Sequence, residues 1–317
     1  MNKLRDSLSF FNMVEYVQEG DIMKKIIIYI LAILSCTCLF ACGQANNEEI
    51  QNDDPIVEEK AELATVSEKV VYEDKHISIT VKESTIGFAE NQFNFPLRLS
   101  FTNKTNQEIT ISNEYTLIND IFVQHNYPLI VTISPKSSVE YDWLFDDIAH
   151  AHQNIKTIGS ISFCLNKYIG NQVERTDVIR VESDHKDYVQ KINTEGKILI
   201  DEQGYKIIGQ DAELRSESEY YCWFYLENNT NEEVLFQIEP VSVNGFVIKT
   251  KSMPRTLFPA NAKGYISLIF TEEDIEKYDL NPINRMYVEV SVLDDLGPHH
   301  YGEEIVKNRS VKVEYGE

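Results

Sequence analysis

Most of the chain beyond residue 68 alternates apolar and polar residues with a period of two, which is typical of half-buried β-strands. Leu97, Leu99 and Phe101 alternate with polar neighbours, and the segment 222–226 repeats this pattern. Further strands are predicted in two series, at 76–82, 108–112, 128–133, 138–145, 158–165 and 177–182, and at 204–208, 233–238, 246–250, 263–270, 286–293 and 309–315. The pattern indicates an all-β protein.

The two series of strands follow an internal duplication. The segment 103–109 (NKTNQEI) aligns with 228–234 (NNTNEEV) at an offset of 125 residues. The offset then drifts only slightly along an ordered set of pairs: Asn119 with Asn244, Pro135 with Pro259, Phe145 with Phe270, Ile148 with Ile275 and Asn154 with Asn281. A repeat of this length corresponds to a whole domain rather than to a solenoid unit.

Each copy combines about seven short strands with one helical turn, which favours an immunoglobulin-like β-sandwich. The two domains are predicted at 69–190 and 191–317. In the second copy, Thr271 and Asp274 have the spacing of a helix capping box, and residues 146–148 are its counterpart. Since neither copy has the Cys…Trp…Cys pattern of antibody domains, a barrel is the alternative arrangement.

The amino-terminal part has the pattern of a secretory signal peptide at 23–41. A basic start at Met23-Lys24-Lys25 precedes an apolar run over 26–41, and the small residue Ala41 lies directly before Cys42. Residues 39–42 (LFAC) resemble the lipobox of bacterial lipoproteins. That resemblance implies cleavage between Ala41 and Cys42, a diacylglycerol on Cys42, and acylation of the new amino terminus by a fatty acid such as palmitate. The alternative, an uncleaved anchor, would need about 20 apolar residues.

Residues 1–22 do not fit this signal, because Asp6, Glu15, Glu19 and Asp21 outweigh Lys3 and Arg5 where positive charge is expected. We therefore predict that translation starts at Met23 and that 1–22 is an upstream extension.

Residues 42–68, after the signal, are rich in Asp, Glu, Asn and Gln and poor in aliphatic residues. Such a segment is predicted to be a disordered acidic linker. The whole chain has a net charge of −22. This charge disfavours nucleic acids and anionic lipid headgroups as partners, since both are polyanions.

Two cysteines, Cys164 and Cys222, remain beyond the lipobox. Alternation places Cys222 on a core face with Phe224 and Leu226, whereas Cys164 shares the opposite face of its strand with Ser160 and Ser162. We therefore predict two unpaired thiols; a disulfide between them is the alternative.

A weak candidate metal site comprises Asp146, His150 and His152, which lie within seven residues of one another. Imidazole and carboxylate ligands suit Zn²⁺, and Asp146 and His150 would share one face of a helical turn. The second copy has no histidine there, so the alternative is a solvated turn. No cofactor is predicted.

An aromatic row provides the candidate binding face. Tyr221, Trp223 and Tyr225 lie on one face of a strand, opposite the apolar positions. If that face is exposed, it could stack on a sugar ring or contact a partner protein. The alternative is that the row packs against the other domain or under a loop.

Sequence motifs of catalysis are absent. The chain has no Gly-x-Ser-x-Gly, phosphate loop or dinucleotide fingerprint, so it is not predicted to be an enzyme. Acidic pairs such as Asp146-Asp147 and Asp294-Asp295 leave a glycan-processing enzyme as a weaker alternative.

The mature chain resembles the Gram-positive lipoproteins of unknown function that carry tandem immunoglobulin-like domains, in its lipobox, its Asn-rich turns and Asn244-Gly245. The resemblance implies a module of the cell envelope, held on the outer face of the membrane by Cys42, with an unknown protein or glycan partner. A non-catalytic binding or structural role is the first hypothesis. An accessory subunit of a transport or envelope-assembly complex is the second.

Overall fold

A computed structural model describes residues 61–88, 94–124, 128–146, 152–216, 219–248, 255–294 and 303–315. The described residues belong to one compact unit, Glu58–Glu317. Their fold is all-β with several sheets, as predicted. The predicted signal peptide, Cys42 and most of the acidic linker lie outside the described residues.

In the first half, up to residue 190, the strands are β1 (Ala64–Val66), β2 (Lys69–Glu73), β3 (Ile77–Val81), β4 (Ser84–Ile86), β5 (Asn94–Asn103), β6 (Ile109–Ile118), β7 (Ile121–Phe122), β8 (Ile130–Ile133), β9 (Ser138–Asp146), β10 (Ser160–Ile169), β11 (Gln172–Arg175) and β12 (Ile179–Glu182). In the second half they are β13 (Lys197–Glu202), β14 (Tyr205–Ser216), β15 (Glu219–Asn228), β16 (Val234–Val243), β17 (Arg255–Phe258), β18 (Ala262–Thr271), β19 (Arg285–Asp294) and β20 (Glu304–Glu314), with helix α1 (Glu272–Tyr278) after β18.

The strands pair in the same order in both halves. One sheet of the first half runs β2-β3-β5-β9, and its counterpart in the second half runs β13-β14-β15-β18. The other ladder runs β8-β6-β10-β11, with β12 also on β10, and its counterpart is β17-β16-β19-β20. Strand β7 joins the ladder of β6 and β10 to β18, so that one large sheet passes through both halves.

The duplication is visible residue by residue in the strand limits. Asn94–Asn103 corresponds to Glu219–Asn228, and Ile109–Ile118 corresponds to Val234–Val243, both at an offset of 125 residues. β8 and β17 keep this offset, as do β10 and β19. The buried apolar residues form one core in the first half and a second core mainly in the second half. The repeat in the sequence is therefore a repeat of structure.

The repeated Asn-x-Thr segments form turns that are held by the buried side chain of the asparagine, and we call each of these turns a lock. The Asn103 amide donates to the carbonyls of Gln107, Ile133 and Ser134 at 2.7–3.1 Å, and its oxygen accepts from the backbone N–H and hydroxyl of Thr105. Asn228 repeats this with the carbonyls of Glu232 and Pro259 and with Thr230. Both asparagines are at most 1% exposed, so each lock pairs a buried side-chain amide with the carbonyls of the turn.

A second repeated pair, Asn119 and Asn244, begins the turn after β6 and β16. Both have a left-handed backbone, with φ of 52° and 49°, which asparagine tolerates better than most residues. The Asn119 amide donates to Thr157 O and its oxygen accepts from Gly159 N. Asn244 makes the equivalent bonds to Pro282 O and Asn284 N. The asparagine repeats in the sequence are thus explained by backbone hydrogen bonding.

We expect Asn228→Ala to destabilise the protein by about 3 kcal/mol, because it removes these bonds, including the buried one to Pro259 O. Asn229→Ala, at the exposed neighbouring position, is the matched control and should change stability by less than about 0.5 kcal/mol. Denaturant unfolding of both variants measures the difference. Equal stabilities would refute the structural role of the lock.

Two predictions are wrong in detail, and a strand was missed in each case. The acidic linker does not extend to residue 68, because β1 pairs with β4 and buries Ala64 and Val66 completely. This strand was missed because it has only three residues and lies in an acidic segment. The strand predicted at 246–250 is not formed in its described part, which has only a bridge between Val243 and Phe246. Its place in the repeat is taken by β17, whose weak alternation was missed.

Helix α1 is present, but without the predicted capping box. Thr271 is its N-cap residue and makes no side-chain bond to the backbone. Its hydroxyl donates to the Asp274 carboxylate at 3.2 Å instead. The left-handed residue that ends the helix is Asp279, and Asn154, at an offset of 125, is also left-handed. Asn154 therefore pairs with Asp279 and not with Asn281.

Candidate functional site

The aromatic row on β15 is buried. Tyr221 is 3% exposed, and Trp223 and Tyr225 are 1% exposed. The three rings belong to a small third core with Ile208 and Tyr265, and Tyr221 stacks on Trp223 with centroids 5.6 Å apart. The prediction of an exposed ligand face is therefore wrong, and the alternative of a covered face is confirmed.

The aromatic row is covered by residues from other parts of the chain. The His152 ring stacks on Trp223, with centroids 4.2 Å apart and planes at 7°. Ile192, in the connection between the halves, packs on the same cluster, and Asn193 exchanges two hydrogen bonds with the Tyr265 hydroxyl at 3.0 and 2.8 Å. In the first half the equivalent residues are Pro96, Arg98 and Ser100, which are not buried. The first copy therefore could not reveal this cover.

The predicted metal ligands can be followed only in part. His150 lies outside the described residues, as does the side chain of Asp146, which ends β9. His152 stacks on Trp223, and its Nε2 lies 3.2 Å from Gln210 Oε1. Among the described residues, the carboxylates of Asp211 and Glu213 each lie 3.8 Å from one of its ring nitrogens. In the described structure, His152 thus packs on the aromatic row and helps to cover it.

A different ionic cluster lies at one end of the first half. Within the described residues, Asp74, His76 and Glu174 are the group that could hold a metal ion. The Asp74 carboxylate accepts from the N–H groups of His76 and Ile77 at 2.8 and 2.7 Å. His76 Nδ1 lies 2.9 Å from the Glu174 carboxylate. The cluster joins the β2–β3 turn of one sheet to β11 of the other.

A buried lysine supplies the cation of this cluster. Lys167 on β10 is 2% exposed, and its ammonium donates to the carboxylates of Asp74 and, at 3.3 Å, Glu174. It also lies 5.8 Å from the centre of the Tyr72 ring, whose hydroxyl donates to Asp74 at 3.0 Å. Since the ammonium already binds both carboxylates that a metal would need, the geometry favours an internal ionic network over a metal site.

The charges in the cluster shift one another's pKa values. Burial alone would raise the pKa of Asp74, but the hydrogen bonds from Lys167 and from the backbone of Ile77 and His76 outweigh it and lower that pKa to about 2. Burial alone would lower the pKa of Lys167, yet its bond to Asp74 raises it. Both groups are therefore charged across the neutral range.

The sequence does contain a signal for Lys167. Along β10, the apolar residues Phe163 and Leu165 alternate toward the core, and Lys167 continues their phase. Its counterpart at an offset of 125 is Val292, which is fully buried in the second half. A lysine where the repeat has a core valine indicates a buried charge with partners. Those partners were not predicted, because Asp74 and Glu174 are distant in sequence.

Both cysteines are free, as predicted, and both are buried. Cys222 packs in the second core with Phe224 and Leu226. Cys164 faces away from the first core and also belongs to the second core, and its sulfur accepts from Arg175 Nε at 3.0 Å. Arg175 also forms a two-pronged ion pair with Glu233 at 2.5 Å, so this polar contact links the two halves.

Among the described residues, no helix is both long and apolar enough to span a membrane. A scan of the chain against protein-family models finds no match, and a search of curated protein sequences finds no significant match either.

Proposed function

We propose that this protein is a lipid-anchored, non-catalytic module of the bacterial cell envelope, built from two tandem immunoglobulin-like sandwiches. The lipobox at 39–42 supports the anchor. In the first half, β2, β3, β5 and β9 form one sheet, and β6, β8, β10 and β11 form the second. The second half repeats this order, which is close to the immunoglobulin arrangement.

The observation that carries the non-catalytic proposal is the use of the polar side chains. The repeated asparagines bind backbone carbonyls, Lys167 binds the carboxylates of its own cluster, and the aromatic row is packed under other residues. Both thiols are buried within strands, whereas a catalytic thiol needs access and a lowered pKa. Burial instead raises the pKa of Cys164. In this proposal, the folded part presents surfaces and does no chemistry.

The anchor is tested by metabolic labelling with a palmitate analogue in a bacterium that processes lipoproteins. We expect the unchanged chain to incorporate label and to partition into detergent, because two or more acyl chains hold a protein firmly on a bilayer. Cys42→Ser should lose the label completely. Cys38→Ser, at the nearest other cysteine, is the matched control and should keep it. Label that persists in Cys42→Ser would rule out this anchor.

A further inference from the structure

The contact between the two halves includes a short β-pairing. Ile121 and Phe122 of β7 pair in parallel with Lys263 and Gly264 at the edge of β18. Both β7 side chains are buried there, at 1% and 5% exposure, and the Phe122 ring lies 4.8 Å from that of Phe258. A Cβ on Gly264 would lie 2.4 Å from Phe122 O. The pairing therefore requires a glycine in the accepting edge.

The second half carries the same segment in a largely exposed position, where the Phe246 ring lies 5.5 Å from that of Tyr278. Phe246 and Val247 stand at an offset of 125 from Ile121 and Phe122, and they follow Asn244 as β7 follows Asn119. The two asparagines have matching left-handed turns, so the segments leave their sheets alike. Phe246 is 47% and Val247 79% exposed. An apolar segment that is buried in one copy is thus open in the other.

A second copy of this chain cannot accept that segment in the same way. Strand β9 is the first-half counterpart of β18, and Val139 takes the place of Gly264, since Ser138 pairs with Thr102 as Lys263 pairs with Glu227. Its side chain would collide with an incoming backbone.

We propose that Phe246–Val247 docks on the edge strand of a β-sandwich domain of another protein, with a glycine of that strand opposite Val247. The template is the pairing of β7 with β18 within this chain, and the mode is addition of a segment to an open sheet edge. The inference rests on the proposed non-catalytic binding function and names the class of its partner.

The requirement for a glycine in the accepting strand is tested on the full-length chain in non-ionic detergent, by light scattering after size-exclusion chromatography. Val139→Gly gives the chain's own β9 a glycine edge, so we expect this variant to associate head to tail, with a mass that rises with concentration. The unchanged chain and the double variant Val139→Gly/Val247→Asp should stay monomeric. A folded Val139→Gly variant that stays monomeric overturns the proposal. The proposal is also overturned if the unchanged chain associates and Val247→Asp abolishes this association, because the partner would then be a second copy of this chain.

A measurement without Val139→Gly covers the case in which that variant does not fold. A photoreactive residue at position 247 of the full-length chain is cross-linked in the native cell, with the same residue at exposed position 189 as control. We expect a position-specific adduct with a strand of another protein's β-domain, within two residues of a glycine. An adduct with lipid or with this chain, or no adduct, contradicts the proposal. Because labelling of Cys42 is scored separately, a normally lipidated chain without the adduct refutes the partner and leaves the anchor standing.

Discussion

Trp223→Ser should destabilise the protein by about 3–5 kcal/mol, the usual cost of removing a large aromatic side chain from a core. The indole is 1% exposed, stacks on His152, and donates from Nε1 to Glu213 at 2.8 Å. Its loss would leave a cavity beneath the connection between the halves. For a domain of this size, we expect a melting temperature lower by about 8 °C or more.

Tyr287→Ser is the matched control for this prediction, since Tyr287 is an aromatic residue on strand β19 that is 40% exposed. Its substitution should shift the melting temperature by no more than about 2 °C. If Trp223→Ser behaves like the control, the aromatic row is open to solvent and the hypothesis of a ligand face returns.

Lys167→Met should destabilise the protein by about 3–5 kcal/mol at neutral pH, because it removes the cation and leaves Asp74 and Glu174 facing each other. Because methionine is similar in size and apolar, it preserves most of the packing. The loss of stability therefore measures the contribution of the Lys167 charge. Lys82→Met removes the lysine of an exposed pair with Glu68 and is the control. Exposed pairs contribute little to stability, so the melting temperature of this variant should stay nearly unchanged.

The loss caused by Lys167→Met should depend on pH. The folded-state pKa of Asp74 is about 2, below its ordinary value of 3.8. Its ionised form therefore stabilises the native protein above about pH 4, and this stabilisation is lost as the pH falls through 2. Without Lys167 the depression shrinks, so the stabilities of the two proteins should converge below pH 4. A pH-independent difference would mean that packing, and not charge, is what Lys167 contributes.

The sequence predicts the strand framework well, because alternation and the repeat depend on the same buried positions. The offset read from Asn103 and Asn228 is the offset of four pairs of strands. The repeat also holds a signal that the sequence analysis did not use, since Lys167 stands where the second copy has the buried Val292. What alternation could not provide was the strands with few apolar residues, such as β17, and the pairing of β7 with β18 across the halves.

The candidate site was less predictable, because its environment is made by distant parts of the chain. The sequence left open whether the aromatic row faces solvent or is covered, and its equivalents in the first half, Arg98 among them, gave no sign of a cover. His152 and Ile192 cover it, and nothing in the local pattern of β15 marks that cover. Likewise, Asp74 and Lys167 are 93 residues apart, so their contact depends on how the two sheets face each other.

The most direct test of a lipid-anchored envelope module is the intact mass of the mature protein, purified from bacterial membranes. We expect a chain that begins at Cys42 and carries the added mass of a diacylglycerol, with or without a further acyl group on the new amino terminus. A mature chain that retains the residues before Cys42, or one that begins there without any lipid, would contradict the proposal.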